Sequence, residues 1–175
     1  MLKPLEQWCC DTCGNVIDGP EKGCVEWHTT HRTNTVSGFR IVHRGSKCTY
    51  QGIELATLGR TSTQVPLREA LDSPGLGHML QVLEHAVSDG SAREESMHEF
   101  MEVLRRVHIP YYEEARLAWQ AGLTEGIHDG TQYDSATLRR LIFWKDAAIA
   151  AWVASVTGDD TVPRPPEMMT TNAGA

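Results

Sequence analysis

Hydrophobic positions recur every second residue near the start of the chain and every third or fourth residue after about residue 64. In Gly23–Thr29, Val25 and Trp27 fall on one face and Glu26 and His28 on the other. In Ser37–His43, Phe39, Ile41 and His43 share a face. A period of two is the signature of a half-buried strand, so both segments are expected to be strands. The polar stretch between them is expected to be a long hairpin loop. Cys48–Leu58 is expected to add a further strand, with Ile53, Leu55 and Leu58 inward. The polar run Gly59–Gln64 is read as the boundary of this module.

Beyond it the period becomes helical. Pro66 suits the first turn of a short helix ending near Leu71. Ser73 as N-cap and Pro74 behind it open a second helix, with Leu76, Met79, Leu80, Leu83 and Val87 as its apolar stripe. A third is expected over Ala92–His108, with Met97, Phe100, Met101, Leu104, Val107 and His108 inward. Pro110 breaks it and starts another through about Ala121, with Tyr111 and Ala115 inward. A glycine-bearing loop follows over 122–133, then a last helix over about 135–155 that is apolar on most sides. Such a helix is either central in a monomer or the seam of a homodimer. The Pro- and Thr-rich tail 157–175 is expected to be disordered.

All five cysteines and three of the eight histidines lie between Trp8 and Tyr50, the part with strand periodicity. Within it stands Cys10-Asp11-Thr12-Cys13-Gly14. Thiolates two residues apart can turn onto one tetrahedral ion, each at about 2.3 Å. A glycine after the second thiolate accommodates the left-handed backbone that lets amides fold over the sulfurs. This motif resembles the knuckle of zinc ribbons and rubredoxin-like modules, over about residues 9–48. The resemblance implies a structural Zn2+ and a second pair of ligands further along. Cys24 and His28 are separated by strand, roughly 13 Å at 3.3 Å per residue, too far for one ion. His43 and Cys48 flank Arg-Gly-Ser-Lys, which can loop them together. The expected set is therefore Cys10, Cys13, His43 and Cys48. Cys24 is the best substitute, with Cys9, His28 and His31 behind it. Trp8, Trp27, Phe39 and Tyr50 are expected to cover the site.

The chain carries a net charge of −7. Residues 1–68 hold eight Lys/Arg and six Asp/Glu, giving +2, and residues 69–175 hold the remaining eight and seventeen, giving −9. An acidic second half is a poor binder of phosphate backbones. Only the N-terminal module, with Arg32, Arg40, Arg44 and Lys47, is a candidate for nucleic acid. No apolar run approaches the roughly 20 residues that span a bilayer, and no basic-then-apolar leader opens the chain, so a cytoplasmic protein is the expectation.

Elsewhere the chemistry is sparse. Glu95–His98 and Glu125–His128 match Glu-x-x-His, but His98 lies off the apolar stripe and Gly126 interrupts the other pair, so neither is expected to bind iron. Three polar residues, His108, Glu114 and Lys145, fall on or beside apolar stripes. They form a candidate polar pocket or a buried, satisfied cluster. No phosphate loop, nucleophile elbow or His-Glu-x-x-His is present.

The sequence therefore predicts an α+β protein: a zinc-bound β module of ribbon-like hairpins over 1–62, a bundle of four to five helices over 63–156, and the tail. Its expected role is a non-enzymatic accessory or regulatory factor of bacterial type, acting through a protein partner or self-association. The rival readings are a nucleic-acid-binding regulator using the zinc module, and an enzyme with a pocket between the two halves.

Overall fold

The computed structural model describes residues 2–45, 47–88, 90 and 93–117. The chain divides into two compact units, Met1–Pro110 and Tyr111–Ala175. The expected helix over 135–155, the loop 122–133, the tail 157–175, Glu125–His128 and Lys145 lie outside the described residues.

The first unit is α+β, with two small antiparallel sheets, four α-helices and a short 3-10 turn at Pro20–Lys22 among its described residues. Strands β1 (Gln7–Cys9) and β2 (Val16–Asp18) form a ribbon around the first cysteine pair. Strands β3 (Gly23–Thr30), β4 (Val36–His43) and β5 (Arg60–Pro66) form the second sheet, in the order β4-β3-β5. Helices α1 (Gly52–Thr57), α2 (Leu67–Ala70), α3 (Ser73–Ser88) and α4 (Glu94–His108) complete it.

Strand alternation organises the core. Val25 and Trp27 of β3 and Phe39 and Ile41 of β4 are all buried. Trp27 stacks on Phe39 with ring centroids 5.4 Å apart, and Phe39 meets Phe100 of α4 edge-on at 5.1 Å. Burying each such side chain contributes about 1.5–3 kcal/mol. The β3–β4 register slips between Glu26 and His28, where Gly38 adopts φ +73°. The other face of β3 is buried as well. Glu26, fully inaccessible, accepts from Arg40 Nε at 2.8 Å and from the Tyr50 amide. Arg40 lies 3.7 Å over the Tyr50 ring.

Five expectations are corrected here. The segment expected as a strand over 48–58 contains helix α1, which buries Leu55 and leaves Ile53 84% exposed. The polar stretch expected as a linker is β5 from Arg60 on, paired along β3 from Thr30↔Arg60 to Cys24↔Pro66. On α3 the covered face is Gly75, Met79 and Ala86, while Leu80 and Val87 stay exposed. A Cβ at position 75 would strike the Glu69 carbonyl, so the bare glycine lets α3 approach the end of α2, and the helix sits rotated from its most apolar stripe. Asp72 caps α3, its Oδ1 accepting from the Gly75 amide at 2.9 Å, one residue before the expected Ser73. Lastly, α4 buries Ser96, Phe100, Val103, Arg106 and Val107 and turns Met101 outward. Arg106 sets this rotation, because its guanidinium is drawn to a carboxylate on the ribbon. In the second unit, residues 112–117 are helical.

Candidate metal centre

Two loops meet at one edge of the first unit. The first, between β1 and β2, carries Cys10 and Cys13. Gly14 takes φ +71°, and its amide donates to the Cys10 carbonyl at 2.9 Å, closing the turn. The second follows β4 and runs from His43 to Cys48, with Gly45 at φ +65°. Both turns use the conformation that glycine adopts without a steric penalty.

The ligand atoms of Cys10, Cys13, His43 and Cys48 all lie within 4.8 Å of one another, close enough to hold a metal ion. His43 Nδ1 is 3.5 Å from Cys13 Sγ and 3.9 Å from Cys48 Sγ. A tetrahedral ion with sulfur at about 2.3 Å needs donor–donor edges of roughly 3.5–3.8 Å, and these two His43 edges lie close to that range. His43 Nε2 is 3.3 Å from the Val16 carbonyl. A carbonyl only accepts, so the imidazole proton sits on Nε2 and the Nδ1 lone pair faces the sulfurs. Cys10 is buried. Burial alone would raise its pKa, but amides of Cys13, His43 and Thr12 aimed at the sulfur, with His43, bring it down to about 6. The thiolate form needed for coordination is therefore favoured by the backbone of both loops. Arg44 and Lys47 line the same edge, a cationic rim beside the cluster of cysteine sulfurs.

Each loop is held from behind. Asp11 accepts from Arg106 Nη1 through both carboxylate oxygens, at 2.9 and 2.7 Å, and from the Ile41 amide at 2.7 Å. Arg106 Nη2 donates to the Cys9 carbonyl at 2.9 Å, and Trp8 Nε1 donates to the Arg106 carbonyl at 3.0 Å. The Cys48 carbonyl accepts from Thr12 Oγ1 at 2.8 Å and from Arg40 Nη2 at 3.2 Å. The sequence reading missed Asp11, Arg106, Arg40 and Glu26. The available signal was a charged residue, Arg106, beside the apolar positions Phe100, Val103 and Val107 of one helix face.

The substitutes stand elsewhere. Cys24 is buried in β3, and burial pushes its thiol up to about 11. Cys9 Sγ turns to the Gly14 carbonyl at 3.2 Å. His28 bonds Ser37, and His31 bonds Thr61. The aromatic residues expected to cover the site do other things. Trp8, Trp27 and Phe39 build the hydrophobic core, and Tyr50 packs on Arg40 and His28. Of the candidate polar pocket, His108 Nε2 is buried with no hydrogen-bond partner among the described residues, and burial lowers its pKa. Glu114 Oε1, in the second unit, is likewise buried without such a partner, and burial raises its pKa to about 7. Glu95 and His98 are exposed on α4.

No family model, no curated protein and no solved structure matches this chain.

Proposed function

We propose that this protein is a zinc-stabilised, non-enzymatic accessory or regulatory factor, whose ion folds a ribbon-like module and whose helices serve a protein partner or a second copy. The observation that carries the reading is the convergence of three thiolates and one imidazole, each from a loop anchored in the surrounding fold. Soft sulfur donors with an imidazole in a tetrahedral set favour zinc. Four protein ligands leave no position for water or substrate, which suits a structural role. Exposed apolar side chains on α3, Leu80 and Val87, support a contact surface.

The nucleic-acid reading draws less support. Arg40 is committed to Glu26 and Tyr50. Arg32 lies in the β3–β4 turn, at the opposite end of the eight-residue β4 from Arg44 and Lys47, a separation of roughly 26 Å at 3.3 Å per residue. The four cations do not form one patch.

Cobalt substitution followed by azide titration tests the structural role. The expected result is one ion per chain with a four-coordinate spectrum that azide leaves unchanged. A spectrum that shifts saturably with azide would reveal an open position and return the site to catalysis.

A further inference from the structure

A cleft of about 610 Å³ opens in the first unit between the β3–β4 turn, β5 and the start of α4. It shares no residue with the metal ligands, and Ser37 and His43 stand at opposite ends of β4. Its size falls within the roughly 300–1,000 Å³ of small-molecule sites.

Three separate segments each contribute an arginine to its lining: Arg32 from the turn, Arg60 from β5 and Arg93 from just before α4. None of the three is ion-paired with a carboxylate among the described residues, whereas Arg40, Arg105 and Arg106 each have an acidic partner. Two acids also line the cleft. Glu99 is turned to β4, its Oε2 accepting from the Gly38 amide at 2.6 Å and the Phe39 amide at 3.3 Å. Glu95 is exposed at the first turn of α4. The cationic excess is therefore local, in a chain whose overall charge of −7 gives no general attraction for anions.

The floor is built to hold one of these arginines. His28 is 6% exposed, with Nε2 at 3.3 Å from Arg60 Nη1 and Nδ1 at 3.3 Å from Ser37 Oγ. A guanidinium only donates, so Nε2 accepts and the ring proton resides on Nδ1, pointing at Ser37. The Ser37 hydroxyl, already accepting from the ring, keeps its own hydrogen for another partner. Burial first, and then the Arg60 charge, hold His28 neutral. Tyr50 packs edge-on against His28 at 5.2 Å and donates to the Gly38 carbonyl at 3.1 Å. A Cβ at position 38 would strike both the Tyr50 hydroxyl and His28 Nε2, so the left-handed glycine makes room for this support.

Planar guanidinium forks beside hydroxyl donors are the chemistry that recognises phosphate and carboxylate oxygens. We propose that this cleft binds the oxyanion group of a small organic anion, with Arg60 as the fixed anchor, Arg32 and Arg93 closing on it, and Ser37 donating from the floor. The proposal stands independently of the metal site and its assigned role.

Calorimetric titration of the full-length, metal-loaded protein at low ionic strength tests it, with inorganic phosphate, pyrophosphate and succinate as probes and chloride as the control. At least one of the three is expected to bind saturably, one per chain. Arg60→Gln is expected to weaken that binding about ten-fold or more, the loss of a charge-assisted pair, with metal content and near-ultraviolet dichroism kept. Arg32→Gln, at an exposed position, should weaken it too and guards against a folding defect in the first variant. Preference for pyrophosphate identifies phosphate recognition, and preference for succinate identifies carboxylate recognition. No saturable binding of any probe, or binding unchanged in both variants, would overturn the proposal.

Discussion

Arg106 supports the candidate metal centre without supplying a metal-binding atom. It is 3% exposed and sits on a helix whose start lies more than eighty residues beyond the first knuckle, yet it grips Asp11 between Cys10 and Cys13. Arg106 is buried but Asp11 is partly exposed, so losing the arginine leaves a carboxylate that water still reaches, and the cost falls below the roughly 3–5 kcal/mol of a fully buried pair. Outer-shell partners of metal ligands typically change affinity by about 10–100-fold. Arg106→Met is therefore expected to release zinc more readily in a chelator competition, within that range. Retention equal to wild type would show that Asp11 positions the knuckle without help from α4. Cys13→Ser should lose the ion, whereas Cys24→Ser should keep it, read as metal per chain by mass spectrometry. Glu114 offers a separate test. Burial raises its folded pKa to about 7 from the ordinary 4.5. Between those values the unfolded carboxyl ionises first, so stability from this group falls as pH rises from about 4.5 to about 7 and levels off above. Glu114→Gln should remove that slope from a melting-temperature series. An unchanged slope would assign it to other groups.

Among the elements, β3 and β4 were legible because Val25 and Trp27, and Phe39 and Ile41, keep a period of two despite the bulge at Gly38, and α4 was legible from its period and from Pro110 behind it. The rest was hidden for particular reasons. β5 buries only Val65 and leaves its other residues exposed or half-buried, so its polar composition imitates a linker, although Thr61 and Thr63 carry a strand preference. Ile53, Leu55 and Leu58 fit a strand or a single helical turn equally well. The helical stripes were placed by counting apolar residues, while the actual faces were set by Gly75 against Glu69 and by Arg106 reaching Asp11. A backbone carbonyl and a distant carboxylate leave no trace in local periodicity. Gly38 gives the element-scale test. Alanine there would need φ near +73° and would crowd Tyr50 and His28. Gly38→Ala is expected to cost at least about 1–2 kcal/mol in urea unfolding. A smaller change would mean that the bulge can straighten. For the exposed stripe of α3, Leu80→Glu with Val87→Glu should abolish any self-association seen by sedimentation. Unchanged association would move the contact surface elsewhere.

For the molecule as a whole, the candidate metal centre is the point at which distant parts of the chain meet. The loop between β1 and β2 brings Cys10 and Cys13, the end of β4 and the loop after it bring His43 and Cys48, and α4 fastens the first loop through Arg106. The convergence of Cys10, Cys13, His43 and Cys48 was legible because their spacing and turn glycines are local features. Their supports were not, because Glu26–Arg40 and Asp11–Arg106 exist only once the sheets and helix are assembled. Among the described residues no helix is long and apolar enough to cross a membrane. The most direct measurement of the central claim is zinc-edge X-ray absorption on the purified full-length protein. The expected shell is three sulfurs at about 2.3 Å and one nitrogen at about 2.0 Å, with no oxygen. A shell containing water, or a well-ordered protein without zinc, would contradict it.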